Sequence, residues 1–195
     1  LSVPHATTES NKALVRRFVE AINAQNWPLL GELVAASVLL AGNLKFDGSL
    51  ILQIQGDGPI ALLVVECTSD MDIRATVSLR ENHPVPQTGT LQTLLNPQGQ
   101  GRFTVVLAPR QSSKDFRPYQ GVVPLEGETV AEVLQTYMRT SEQLDTHLWL
   151  AADENRCAGL LLQRIPPQGG HSLAQNLDTW ERALALGSTV QTQEL

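Results

Sequence analysis

The chain has 195 residues, of which 42% are hydrophobic and 17% charged, with a net charge of −6 and a pI near 5.2. That length holds one substantial domain with appendages, and the acidic balance excludes the clustered basic footprint of a nucleic-acid binder. The longest apolar run, LLGELVAASVLLAG, carries Glu32 and falls short of the roughly 20 residues that span a bilayer.

The N-terminus LSVPHATTES has no basic region followed by an apolar core, so no signal peptide is expected. It begins with Leu1 rather than Met, as a processed or trimmed product would. Residues 11–26 place Leu14, Phe18 and Ile22 at i, i+4 and i+8 beside Val15 and Val19, which predicts an amphipathic helix. After Trp27, Pro28 suits the first turn of a second helix over about 28–42. That helix is apolar nearly all round, the pattern of one buried on several sides.

From Asn43 the period changes to two. Leu44-Lys45-Phe46 reads as a strand reaching an Asp47-Gly48 turn, followed by the strands SLILQIQ and IALLVVE about the turn GDGP. DIRATVSL then sends Ile73, Ala75, Val77 and Leu79 to one face, completing an antiparallel meander. ENHPVPQTG reads as a loop, TLQTLLN as a single helical turn and GRFTVVLAP as a strand. The polar QSSKDFRP connects to YQGVVPLEG, whose Pro124 favours a sheet edge or a strand end. A helix is expected from near Glu128, with Thr129 and Glu132 at capping-box spacing and Val130, Val133, Leu134, Tyr137 and Met138 on one face. THLWLAA and CAGLLLQRIP are two further strands joined by DENR. In the last helix Ser172 and Gln175 cap and Leu173, Leu177, Trp180 and Leu184 form the stripe. Strands grouped between helices, without strict βαβ alternation, predict an α+β fold with antiparallel sheets. No fixed-period repeat or low-complexity tract interrupts it.

Enzyme chemistry finds little footing. QGDGPIALLV lacks the lysine and hydroxyl of a phosphate loop, and a strand follows where a helix N-terminus is required. The chain contains neither GxSxG nor HExxH. His5, His83, His147 and His171 sit in unrelated contexts, and Cys67 and Cys157 have no metal-ligand spacing, so no metal is expected. Both cysteines read as ordinary thiols of a reducing compartment. Asp47 and Asp57 are the one conceivable carboxylate pair, yet both precede Gly, where Asp is expected for backbone reasons alone.

Five strings occur in order: LKFDG (44–48), QGDGP (55–59), YQGVVPLEG (119–127), SEQLDT (141–146) and GLLLQRIP (159–166). Together they resemble the core domain of the 33 kDa heat-shock chaperone family, the redox-regulated holdase of the bacterial cytosol. The resemblance runs from about Trp27 through TQEL, while residues 1–26 have no residue-by-residue counterpart. It divides the chain into an N-terminal segment 1–26, a chaperone core 27–186 and a tail 187–195 leading toward a linker. It implies an ATP-independent, non-enzymatic holdase that binds unfolded or partly folded clients. A cytoplasmic homodimer, with no nucleic acid or membrane as partner, is likewise implied.

Family members also carry a C-terminal switch in which CxC and CxxC cysteines bind zinc when reduced. Oxidation forms disulfides, releases the zinc and unfolds the switch, exposing client surface and favouring dimers. Neither Cys67 nor Cys157 matches those ligands, so no cofactor is expected in this chain, which reads as a trimmed or engineered core or a protein that has lost its switch. Client contacts are not assigned by the resemblance. Phe116, Tyr119 and Trp149 stand as aromatic candidates against a plainer core role, and the last helix stands where the family's path into its linker begins. Two other readings are an enzyme with a scattered carboxylate site, and a structural or dimerisation module without client binding.

Overall fold

The computed structural model describes residues 28–86, 89–110, 118–153, 155–165 and 173–195, with the backbone alone for 173–176. The helix expected over 11–26, together with His5, Phe116, His171 and Ser172, lies outside the described residues, as do the side chains of Leu173 and Gln175. In chain order the elements are α1 (Pro28–Asn43), β1 (Gly48–Gln55), β2 (Ile60–Thr68), β3 (Ile73–Leu79), α2 (Leu91–Leu95), β4 (Arg102–Pro109), β5 (Tyr119–Pro124), α3 (Val130–Thr140), β6 (Thr146–Ala152), β7 (Cys157–Gln163) and α4 (Leu173–Gly187). A five-stranded sheet has the order β3-β2-β1-β4-β5, and β6 and β7 form a separate hairpin. Every pairing is antiparallel, so the fold is α+β as expected.

Alternation along β1 buries Leu50, Leu52 and Ile54, which face Cys67, Val65 and Leu63 on β2 and Leu107, Val105 and Phe103 on β4. Each fully buried aliphatic side chain of this kind contributes about 1.5–3 kcal/mol. Helix α1 lies between that apolar face and the hairpin, packing on β1 and β2 and also on β6 and β7. Its all-round apolar composition follows from this position, with Leu30, Leu33 and Ala36 all but inaccessible to solvent. Gly31 permits the approach to the hairpin, since a Cβ there would stand 2.5 Å from Ala152 Cβ. Helix α3 covers the other end of the sheet, where Tyr137 meets Phe103 edge to face with ring centroids 5.8 Å apart.

Local signals mostly hold. GDGP is the β1–β2 turn, closed by the Gly56 N–H donating to Ala61 O at 2.9 Å. Thr90 caps α2, accepting from Thr93 N at 3.2 Å. Thr129 caps α3 by accepting from Glu132 N at 3.2 Å, and the Glu132 carboxylate reaches back to Glu128 N at 2.7 Å. The helix therefore begins at Val130, two residues after Glu128. Pro124 ends the edge strand β5.

One reading is corrected. Residues 44–46 form no strand, and Asp47-Gly48 makes no hairpin turn. Gly48 is instead the first residue of β1, paired with Pro109. Among the described residues, the chain leaving α1 pairs with no strand before it enters the sheet. Gly48 is needed because the Phe46 ring and the Ala108 carbonyl occupy the space a Cβ would take.

Candidate functional site

The carboxylates proposed as a pair are separated. Asp47, at the entry to β1, accepts from Ser69 Oγ at 3.2 Å and pairs with Arg110 Nε at 3.2 Å; Arg110 also bonds Asp70. Asp57, beyond the far end of β1, accepts from the backbone N–H groups of Gln98 and Gln100 at 3.2 and 2.7 Å. An eight-residue strand between them puts roughly 25–30 Å between the carboxylates, too far for joint acid–base work. Each ties a turn to its neighbour.

The described histidines are also apart. His83 is exposed, with Nδ1 3.0 Å from Glu81 O. His147 on β6 stacks with Trp149, centroids 6.2 Å apart, and meets Trp180 of α4 at 5.9 Å, with Asp145 at 3.7 Å from Nε2. Among the described residues no three His, Cys, Asp or Glu side chains are grouped to hold a metal. Cys67 is buried on the inward face of β2 and Cys157 exposed at the start of β7; both are free thiols. Burial pushes both thiols up, with Asp72 adding to the effect at Cys67, so neither is an activated nucleophile. Glu32 of α1 is raised to about 7 because its carboxyl lies largely out of water.

What the sheet does present is apolar surface. The inward rows are filled by the core, and α1 to α3 all join it. On the outward rows, Ile51 lies beside Val106, and Val64 and Thr104 flank Gln53. Leu62 and Val122 extend the band to either side, Val122 being 54% exposed. Charges border it directly: Glu66 lies opposite Ile51 and faces Arg74, and Arg102 lies opposite Gln55 in the row of Leu62. Both sheet edges, β3 and β5, are unpaired among the described strands. Ile73 and Leu79 of β3 and Met71 before it are each more than a third exposed.

A second feature lies at the other edge. Tyr119 Oη donates to Glu142 Oε1 at 2.9 Å and Tyr137 Oη to the same oxygen at 2.6 Å. The pair stands at a cavity of about 130 Å³ walled by Leu44, Leu107, Met138, Leu144 and Leu161. Desolvation and the Glu142 bond push the Tyr137 phenol well above its usual range, keeping it a donor. Of the aromatic candidates, Tyr119 is thus half-exposed at this cleft. Trp149 is partly covered by α4, where a Cβ on Gly187 would stand 2.6 Å from its ring. Leu177 and Leu186 of α4 remain exposed. The outward apolar band was not read from the sequence. Its signal was available in β1, β2 and β4, where apolar residues occupy both alternating rows.

Comparison with known proteins matches the chain, over residues 6–195, to the family described as Hsp33 protein. The match takes in most of the N-terminal segment that the five strings did not reach. The 33 kDa chaperonin of Methylobacillus flagellatus is 47% identical over 169 residues, covering 85% of this chain and 53% of that protein. Those of Neisseria gonorrhoeae and Chromobacterium violaceum are 42% and 45% identical, covering 89% and 86% of this chain and 56% and 53% of theirs. Among solved structures, the 33 kDa chaperonin of Thermotoga maritima aligns with a TM-score of 0.52 and 25% identity, over 68% of this chain and 46% of that one. The chain therefore spans about half the length of the curated relatives it matches. An antiparallel α+β core with an apolar sheet face, matched along nearly its whole length, places this chain in the Hsp33 family.

Proposed function

We propose that this chain is the client-binding core of an ATP-independent holdase, which captures unfolding proteins on the outward face of its five-stranded sheet. The observation that supports this most directly is the band of Ile51, Leu62, Val64, Val106 and Val122 on the outward face of the sheet. A holdase needs neither nucleophile nor nucleotide, only apolar area accessible to a partner. Redox control through zinc is proposed for sequence other than these 195 residues. Their two cysteines fit neither CxC nor CxxC, and no zinc chemistry is assigned to them.

The test is light scattering from a thermally unfolding client enzyme, with and without the chain, in the absence of oxidant and ATP. Suppressed aggregation is expected, and Ile51→Asp with Val122→Asp should weaken it severalfold while circular dichroism stays native. Suppression by the double variant equal to that of the parent chain would remove the sheet face from the reading.

A second reading, a dimerisation module, draws on the open β3 edge with exposed Ile73 and Leu79. A homodimer through that edge is compatible with client binding on the sheet face. Sedimentation of the chain and of Ile73→Lys distinguishes it, the variant shifting toward monomer.

A further inference from the structure

Two of the strings that carry the family resemblance, YQGVVPLEG and SEQLDT, flank α3 and meet at the cleft beside β5. Tyr119 comes from the first, Glu142 from the second, and Tyr137 from the last turn but one of α3. Gly121 lets the Tyr137 hydroxyl approach the β5 backbone, since a Cβ there would stand 2.7 Å from it. Three properties of the cleft bear on what it would take.

Its size is the first. A cavity of about 130 Å³ with leucine and methionine walls is close to the roughly 150 Å³ apolar cavities that hold one benzene ring. That suits a single large side chain. Charge is the second. Both phenols donate to Glu142 Oε1, and among the described residues Glu142 makes no ion pair and its Oε2 accepts no hydrogen bond. Among the described residues, then, no cation meets this carboxylate at the mouth of the apolar cleft, on a chain of net charge −6. Position is the third. Tyr119 begins β5, whose outer edge has unpaired backbone groups among the described strands. An added strand there would send alternate side chains toward the inward face, beside Tyr119 and Gly121.

We propose that this cleft takes one large apolar side chain from an extended client segment lying along β5, and prefers segments in which a Lys or Arg adjoins that side chain. The inference rests on the chaperone reading for the class of partner, and adds which segments are chosen and where. Without such a role, the Tyr–Glu contacts would only tether residues 141–145 to α3.

The two roles separate in Glu142→Gln, which keeps an acceptor for both phenols and removes the charge. Fluorescence anisotropy would be read with three nine-residue peptides. One has a central Leu between two Arg, one the same Leu between two Glu, and one Ala in place of Leu between Arg. The Arg–Leu–Arg peptide is expected to bind about fivefold tighter than the Glu–Leu–Glu peptide, and the Ala peptide weakly. In Glu142→Gln that preference should fall to near unity, with circular dichroism unchanged. Methyl NMR should place the peptide shifts at Leu44, Leu107 and Leu144. Equal binding by the parent chain, a preference surviving in Glu142→Gln, or methyl shifts confined to the sheet face would each overturn the proposal. If such a result came with aggregation suppression intact, the cleft assignment would fall and the holdase reading stand. A charge-dependent preference in a chain that suppresses no aggregation would leave the cleft assignment standing and sink the holdase reading.

Discussion

Glu32 shows how a single residue answers to its surroundings. It is the one charged side chain of α1, and burial raises its carboxyl from 4.5 to about 7. The folded protein therefore holds the proton more tightly than the unfolded chain. Its contribution to stability is fully present below about pH 4.5 and is lost as pH rises through about 7. Allowing for partial exposure, the loss is about 2 kcal/mol. Urea unfolding at pH 4 and pH 8 should show Glu32→Gln no more stable than the parent at the lower pH and about 2 kcal/mol more stable at the higher. The carboxylates at the turns behave differently. Asp57→Ala orphans the N–H groups of Gln98 and Gln100 and should cost about 1 kcal/mol. Gln143, held at φ 57°, offers the opposite case. Gln143→Gly should gain a few tenths of a kcal/mol, because a left-handed conformation is costly for a residue with a Cβ. Chemical denaturation of both variants checks the two signs.

At the scale of elements, close approach matters more than propensity. α1 contacts the β6–β7 hairpin through Gly31, where even a methyl group meets Ala152. Gly31→Ala would improve intrinsic helix propensity, yet is expected to destabilise by about 1–3 kcal/mol through overpacking. Helix α4 sits on the outer side of the same hairpin through Trp180 against His147 and Gly187 against Trp149. Gly187→Val should lift the end of α4 away from Trp149 and red-shift tryptophan emission, with little change in the midpoint of global unfolding. A concerted loss of both would mean α4 is integral to the core. The helix cap belongs here too. Thr129→Ala removes the acceptor for Glu132 N and should cost about 1 kcal/mol.

For the whole molecule, the cysteines bear on regulation. Cys67 faces the core and Cys157 is exposed, and burial raises both thiols. Thiol-reactive dye at pH 7 should label Cys157 slowly and Cys67 only on unfolding. Mild peroxide should leave aggregation suppression by this chain unchanged. A gain on oxidation that depended on Cys157 would show redox control within these residues. No described helix is long and apolar enough to cross a membrane.

Residue type and spacing account for the kinds of element and most of their order. Period-two burial in β1, the Gly56–Pro59 turn, the Thr129–Glu132 cap and the apolar periphery of α1 are local consequences of residue type and spacing. Five short strings sufficed for a resemblance that the family comparison shows along the chain. Local signals misplaced the entry to β1, because an Asp-Gly pair favours a turn in isolation, whereas here Gly48 is already pairing with Pro109. Tertiary pairing, by contrast, sets Asp47 against Ser69 and Arg110 and Asp57 against the Gln98 and Gln100 amides. It also puts Ile51, Val106 and Val122 on one face and brings Tyr119, Tyr137 and Glu142 together. Each of these depends on pairing and packing between segments distant along the chain, and no periodicity within a segment encodes which distant partner it will meet.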